Sequence, residues 1–401
     1  MPDILFLGSM YPRNEIDKIR RNSRAGIQTA ADILQWDYVE GVEANTGTPV
    51  KIITRMNLGI FPLRYNRLWV KGHTFSHRSG AEDYAVGFWN TAPIRPFFFY
   101  RVGEKQTVKW AKKKMGEQKI LIAYSYAMAG ILEKVKLVNP NVKTILVVLD
   151  LPRFTDMAHN SSLIYRVKHQ MEEKRMSHAL AYVDLLVPIT QQMRDEIDPQ
   201  HRIRAVVIDG MVKKRETVKR REAGPQNNFT IVYTGTLTKA YGITDMLEAV
   251  EMLKNLPIRL VICGKGEAEP EIRKAAASNP NIEYRGLVSS EEAYQLQCDA
   301  DLLLNPRKNE GEYTSFSFPS KILQYMSSGT PVLCYKLDGM DEKYGEYLFF
   351  VRRDETLADA IHRVYRMERT QLRSIGENAR KYVEREKTSE AQTKKILVEV
   401  L

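Results

Sequence analysis

Cysteine is scarce in this chain: three residues in 401, Cys263, Cys298 and Cys334, far apart and set in apolar surroundings. An odd, scattered set excludes a disulfide framework, and no pair stands at zinc-ligand spacing. The expectation is buried free thiols in a reducing cytosol, with no metal bound. Long apolar runs are missing too, since no window approaches the ~18 uninterrupted apolar residues that a membrane-spanning helix needs. The N-terminus runs straight into the apolar stretch Ile4 to Leu7, without a charged leader and a small-residue cleavage site. That predicts a cytoplasmic protein rather than an exported one. No recognised nucleic-acid module accompanies the net charge of +11, so nucleic acid is not an expected partner. Beyond a loose similarity of two halves there is no internal repeat.

What is present is ordinary globular material, 43% hydrophobic and 27% charged, in a length that fits two domains. Apolar strands are expected at Ile4 to Leu7, Val50 to Thr54, Ile120 to Tyr124, Thr144 to Leu149 and Leu185 to Pro188. Helical patterns intervene at Ala25 to Gln35, Tyr126 to Leu137 and Ser162 to Tyr182. Such alternation predicts a parallel, doubly wound α/β sheet. The basic and polar break from Lys213 to Asn228 reads as a linker. Alternation resumes at Phe229, and the stretch from Thr370 has no strand after it. The domain expectation is therefore 1–212, a linker 213–228, a second domain 229–369, and a terminal helix over 370–401.

The positive charge is unevenly placed. Between Lys51 and Lys119 there are fourteen Lys or Arg against four acids, a net +10. The same stretch carries Phe61, Tyr65, Trp69, Phe75, Phe88, Trp89, Phe97, Phe98, Phe99, Tyr100 and Trp110. Lys105, Lys109, Lys112 and Lys113 recur at helical spacing and predict one basic face. Cations interleaved with aromatics suit an anionic membrane surface. The alternative is a solvated helix over a buried aromatic cluster.

The chemistry concentrates in the second half. Asp301 to Asn305 suits a buried parallel strand, followed by a loop, a helix start at Pro319 and a helical stop at Gly329. Ser317 or Ser320 is expected to cap that helix, with Ile322, Leu323 and Met326 on its apolar face. The arrangement aims a helix N-terminus, with Lys321 on its first turn, at the C-terminal edge of a parallel sheet, where anions and ligands are welcome. Upstream, the strand from Phe229 to Tyr233 breaks at Gly235, and a helix is expected over Asp245 to Leu253. A small-residue turn of this kind lets backbone amides approach an anion. Leu260 to Glu267 repeats the strand-then-glycine pattern, with Gly264 and Gly266.

Three segments carry a family resemblance: Asn305-Pro306-Arg307 with the Glu310/Glu312 loop, Ser317 to Lys321, and Tyr325 to Val332, supported by Thr234-Gly235-Thr236. Together they resemble the donor-binding region of retaining nucleotide-sugar glycosyltransferases, family 4-like, of the capsular and exopolysaccharide assembly type. The resemblance implies the GT-B fold, two Rossmann-like domains facing across a cleft, the first binding the acceptor and the second the donor, with the terminal helix packing back on the first. It implies a hexosyltransferase that needs no metal or other cofactor, a UDP-linked donor, and a glycan or polyprenyl-linked acceptor, working peripherally on the inner face of the membrane.

On that reading Lys321 acts on the departing diphosphate, with Lys239 as second choice, and Glu312 touches the donor sugar, with Glu310 as fallback. Gly235, Thr236, Gly264, Arg307, Ser320 and Gln324 complete the donor side. The family carries a ribose-gripping carboxylate where this chain has Gln324, and an earlier acid where it has Phe316; Lys239 lies three residues before Gly242 rather than next to it. In the first half, Arg13, Arg24 and Gly26 fall on loops suited to the acceptor or to phosphate. Asp150 follows a buried strand, where a carboxylate can take the acceptor's proton or steady the developing sugar cation, or merely cap the next segment. His73, His77 and His159 are possible helpers. Two other readings stay open: a catalytically weak GT-B nucleotide-sugar-binding or scaffold protein, and an epimerase of the same fold.

Overall fold

A computed structural model describes residues 2–91, 94, 101, 103–154, 163–214 and 228–401, without the side chains of 163–168. The aromatic run 97–100, His159, Ser162 and most of the expected linker (215–227) lie outside the described residues. The chain divides into two units, Met1–Met211 with Ser389–Leu401, and Val212–Thr388.

The first unit is built on β1 (Asp3–Gly8), β2 (Lys51–Thr54), β3 (Trp69–Val70), β4 (His73–Phe75), β5 (Asp83–Ala85), β6 (Phe88–Trp89), β7 (Lys119–Tyr124), β8 (Lys143–Val148), β9 (Leu185–Pro188) and β10 (Arg204–Ala205). Eight of them form one sheet in the order β10-β9-β8-β7-β1-β2-β5-β4, and β3 pairs with β6 in a separate ribbon. All its pairings are parallel except β4 with β5. Ile4, Phe6, Ile120, Ile122, Ile145 and Val147 share one buried cluster, while Leu5, Leu7, Leu121 and Leu146 are buried as well. Burial of both pleat faces is why these strands read as continuous apolar runs. The chain leaves β1 for β2 on one side and returns to β7 on the other, so a topological switch point lies between β1 and β7.

The helix expected over Ala25 to Gln35 runs instead over Thr29–Thr46 and stops at Gly47, which takes the left-handed conformation (φ +66°). Its second half escaped notice because Gln35, Asp37 and Glu43 are buried beside Trp36, Val39 and Val42, which breaks the apolar periodicity. A Cβ on Gly41 would stand 2.3 Å from the carbonyl oxygen of Ser389, so the Ser389–Val398 helix lies against this one. The terminal segment thus differs from expectation. Arg369–Glu386 stays with the second unit, held by Leu372, Ala379, Tyr382 and Val383, and only the chain from Ser389 joins the first.

A buried ionic knot closes the edge of the first sheet. His77 is inserted between Asp83 (Nδ1 to Oδ2, 2.7 Å) and Glu43 (Nε2 to Oε1, 3.0 Å), and Arg78 reaches the second Glu43 oxygen at 3.0 Å. Asp83 also accepts from the Ile52 amide and Glu43 from the Val50 amide, so the knot fixes β2, β5 and the Thr29–Thr46 helix together. Burial alone would lower the imidazole pKa, but hydrogen bonds and charge from Asp83 and Glu43 raise it to about 9.

The second unit contains β11 (Phe229–Thr236), β12 (Ile258–Lys265), β13 (Ile282–Gly286), β14 (Leu302–Asn305), β15 (Val332–Cys334) and β16 (Phe349–Phe350). They form one parallel sheet in the order β13-β12-β11-β14-β15-β16. Residues alternate between two cores: Ile231, Tyr233, Leu260, Ile262, Leu302 and Leu304 on one face, Val232, Val261, Cys263, Leu303 and Val332 on the other. This is the doubly wound order in which the first and fourth strands are neighbours, and its switch point lies between β11 and β14. All three cysteines are buried free thiols. Among the described residues no helix is long and apolar enough to cross a membrane.

The raised His77 pKa has a definite consequence for stability. A protonated histidine favoured by the fold contributes fully below its ordinary value near 6.5 and progressively less as pH rises to about 9. Thermal melts between pH 6 and 9.5 should therefore show the transition of the first unit falling across that window. In His77→Gln the unit should be less stable by about 3 kcal/mol at pH 6.5, with the slope abolished. A parent melt flat from pH 6.5 to 9 would place the proton elsewhere.

Candidate active site at the switch point of the second sheet

Backbones crowd at the C-terminal ends of β11, β12 and β14 because two glycines allow it. Gly264, at φ +144°, faces Gly235 across the β11–β12 register, and a Cβ on it would stand 1.8 Å from the Gly235 carbonyl oxygen. Gly242, at φ +76°, would put a Cβ 2.1 Å from the carbonyl oxygen of Pro306. The loop after β11 is thereby laid directly on the loop after β14.

Over this junction sits the Ser320–Ser327 helix. Pro319 occupies its N-cap position, one residue earlier than the first-turn placement expected, and no side chain caps it. The Ile322 amide is taken up by the Pro319 carbonyl at 2.8 Å. Ser317, expected as a cap, instead accepts from Arg307 Nη2 at 3.2 Å, and Ser320 is exposed at the helix start. An N-terminus without a side-chain cap carries partial positive charge and suits an anion. Tyr325 fixes the helix in place: its hydroxyl accepts from the Thr234 amide at 2.9 Å and donates to the Thr234 carbonyl at 3.0 Å. Burial pushes that phenol up to about 12.

Fixed in this way, the helix carries Lys321 and Gln324 to the end of β11. Lys321 Nζ donates to Gln324 Oε1 at 2.9 Å, and its Cε is 3.7 Å from where a Cβ of Gly235 would be. Arg307 follows β14, with its guanidinium 5.5 Å from the Tyr241 ring centroid and 5.2 Å from that of Tyr313. Gly235, Arg307, Ser320, Lys321 and Gln324 thus gather around one strand-end junction, with Thr236 exposed at the tip of β11 and Gly264 buried beside it.

Other expected residues are engaged elsewhere. Lys239 places its ammonium 2.6 Å from Glu271, at the start of the Glu269–Ser278 helix. That ion pair stands against its use as the second phosphate cation. Glu312 is exposed and opens the short Glu312–Phe316 turn, and Glu310 is exposed before it. Asp245 and Lys308 pair at 2.6 Å. Among the described residues no group of three His, Cys, Asp or Glu side chains is arranged to hold a metal ion.

In the first unit the expected residues have separate partners. Arg13 pairs with Glu40 and lies over the Trp36 ring at 4.3 Å, and Arg24 donates to Asn66 at 2.6 Å. Gly26 is exposed in open space, so nothing at that position demands glycine. Asp150 comes two residues after the end of β8 rather than at it and is exposed, yet desolvation by surrounding protein raises its carboxyl above the usual range. His73 pairs with Glu15, and His77 belongs to the structural knot. Tyr325, Tyr241 and Tyr313 escaped the sequence reading. Tyr325 entered it only as the first residue of the Tyr325–Val332 segment that carries the resemblance, and no spacing links Arg307 to either ring.

The family model Glycosyl transferases group 1 matches residues 228–367. A Bacillus subtilis protein named as a teichuronic acid biosynthesis glycosyltransferase is 23% identical over 209 residues, covering 51% of this chain and 47% of the relative, about half of each. Sucrose-phosphate synthase from Thermosynechococcus elongatus superposes with a TM-score of 0.66 at 14% identity, over 99% of this chain and 98% of that one. A UDP-forming α,α-trehalose-phosphate synthase from Burkholderia xenovorans gives 0.63 at 11% identity, over 100% and 99%. Residues 228–367 are thus similar to the group 1 glycosyltransferases, and the chain as a whole has the two-domain GT-B fold of these structures.

Proposed function

We propose that the protein is a retaining glycosyltransferase that moves a sugar from a nucleotide-sugar donor to a lipid-linked or growing polysaccharide acceptor at an anionic membrane surface, without a metal. The observation that carries this reading is the placement of Lys321 beside Gly235 and below a helix N-terminus that no side chain caps, in the domain that matches the group 1 family. Breaking the bond between the anomeric carbon and the diphosphate sends the electron pair to the β-phosphate. A fixed ammonium and helix amides aimed there stabilise that charge where it develops, with no reorganisation during the step. The acceptor hydroxyl then bonds to the anomeric carbon and releases its proton, to Asp150 or to the departing phosphate. Glu312 is assigned to the sugar hydroxyls and Gln324 to the ribose, where its amide oxygen accepts without charge. The trehalose-phosphate synthase described as UDP-forming supports a UDP-linked donor, and the relative named for teichuronic acid supports a place in polysaccharide assembly.

The defining assay is release of nucleoside diphosphate from a panel of nucleotide sugars, with and without polyprenyl-linked acceptor, and the anomeric configuration of the product by NMR. Acceptor-dependent release with retained configuration is expected. Binding without release by any donor would replace this reading with a nucleotide-sugar scaffold, and release without acceptor with an epimerase.

Lys321→Ala should lower turnover by about 100- to 1000-fold with an unchanged melting temperature, whereas Lys239→Ala, already committed to Glu271, should stay within about threefold. Equal losses in the two variants would refute the assignment. Gln324→Glu should tighten UDP binding by about fivefold in calorimetry, through a charge-assisted bond to the ribose. Weaker binding would mean that position 324 faces a phosphate.

A further inference from the structure

We infer that the β3–β6 ribbon of the first unit is an interfacial anchor that seats on anionic lipid headgroups. Trp69 and Trp89 stand directly opposite each other in the antiparallel pair, with ring centroids 5.3 Å apart. Both are nearly half exposed, at 47% and 44%, and Leu63 (79%) and Leu68 (39%) extend the apolar surface in the preceding loop. The ribbon is rigid beneath. Val70 and Phe88 are buried in a cluster with Tyr11, Ile19, Met56, Leu58 and Tyr65, and Asn90 holds Gly59 through its side chain and Leu68 through its amide. Exposure of two indoles here is therefore not a loose end left by poor packing.

The rim of this surface is basic. Arg64, Arg67 and Lys71 are exposed, and the acids nearby in the chain are engaged elsewhere: Glu15 with His73 and Lys18, Glu82 with Lys51, and Asp83 with His77. Indole rings prefer the headgroup layer, where one edge is apolar and the N–H is wet, and each nearby cation adds attraction to anionic lipid. The Glu104–Lys112 helix is a weaker candidate. Lys105, Lys109 and Lys112 are exposed on it, but its aromatic residue, Trp110, is buried and donates to Asp3 at 2.8 Å. Lys113, expected on the same face, lies beyond the helix in extended backbone. That helix offers charge without an apolar surface.

The anchor gives the proposed transfer its membrane-borne acceptor, and so rests on that reading for its purpose, but its binding is measurable without donor or acceptor. The full chain should co-sediment with phosphatidylglycerol/phosphatidylethanolamine vesicles and not with phosphatidylcholine vesicles. Because Trp36 and Trp110 are buried, at 3% and 5%, a blue shift of tryptophan emission on binding reports mainly Trp69 and Trp89. The triple variant Arg64→Gln, Arg67→Gln, Lys71→Gln should bind about 100-fold more weakly, roughly fivefold per cation, and Trp69→Ala with Trp89→Ala should lose binding and the blue shift. Lys105→Gln, Lys109→Gln, Lys112→Gln removes the same charge and should change binding by less than about threefold. Absence of binding by the parent, equal binding to neutral vesicles, or an equal loss in the helix variant would overturn the anchor, as would binding left intact by the ribbon variants, which would assign the two indoles to a sugar ring or a second copy of the chain. Nucleotide release with a soluble acceptor should be unchanged in all these variants, so failure of the anchor and failure of the transfer reading are told apart.

Discussion

A single buried phenol determines where the Ser320–Ser327 helix can sit on the second sheet. Tyr325 both accepts from and donates to the backbone of Thr234, using the groups of a mid-strand residue near the end of β11. Because the tyrosine is fully buried, the two bonds have no competing water, and breaking them would leave two backbone groups and a hydroxyl unsatisfied in an apolar core. The helix therefore cannot slide along the sheet. Lys321 lies one turn before Tyr325 and Gln324 just before it, so both inherit their position from that contact. Gln297 reinforces it from behind, donating to the Thr234 hydroxyl at 2.7 Å.

The second constraint is the absence of side chains where strands end. Gly264 and Gly242 have backbone oxygens of neighbouring loops where a Cβ would be, so the floor of the site is peptide rather than side chain. A floor of this kind presents amides and carbonyls to a ligand at close range, and Lys321, Gln324 and Arg307 add polar side chains beside it. The division of labour is physical: backbone brings proximity, and the few side chains bring charge.

Much of the second unit was legible because its signals are local. Parallel strands buried on both faces read as apolar runs, and the Gly329 and Pro331 stop of the helix is written in adjacent residues. Lys321 was read from its place on the first turn of that helix, and Gln324 only through the family resemblance. What escaped was set by distance in the chain. The pairing of Lys239 with Glu271 joins the turn after β11 to the start of a helix 32 residues on, and the Arg307 cradle takes Tyr241 from one side and Tyr313 from the other. The first unit was harder to read for a related reason. Its long helix buries Asp37 and Glu43 among apolar neighbours, and Arg55 and Lys119, counted in the basic stretch, are buried at 0% and 1%. Lys119 is neutralised by Asp3 and lies over the Trp110 ring at 4.6 Å. A charge count by sequence cannot separate such cations from those that face water.

The seat of the Ser389–Val398 helix against Gly41 bears on the order in which the molecule can be made. The ribosome delivers the chain from the N-terminus, and everything from Val212 to Thr388 emerges between the groove and the segment that fills it. Until then Gly41, Val42 and Asn45 lack their neighbour, although the rest of their sheet has long been synthesised; Asn45 later donates to the Glu390 carbonyl and to Thr393. The first unit is begun first and finished last. Its completion therefore has to wait until all of the second unit has left the ribosome.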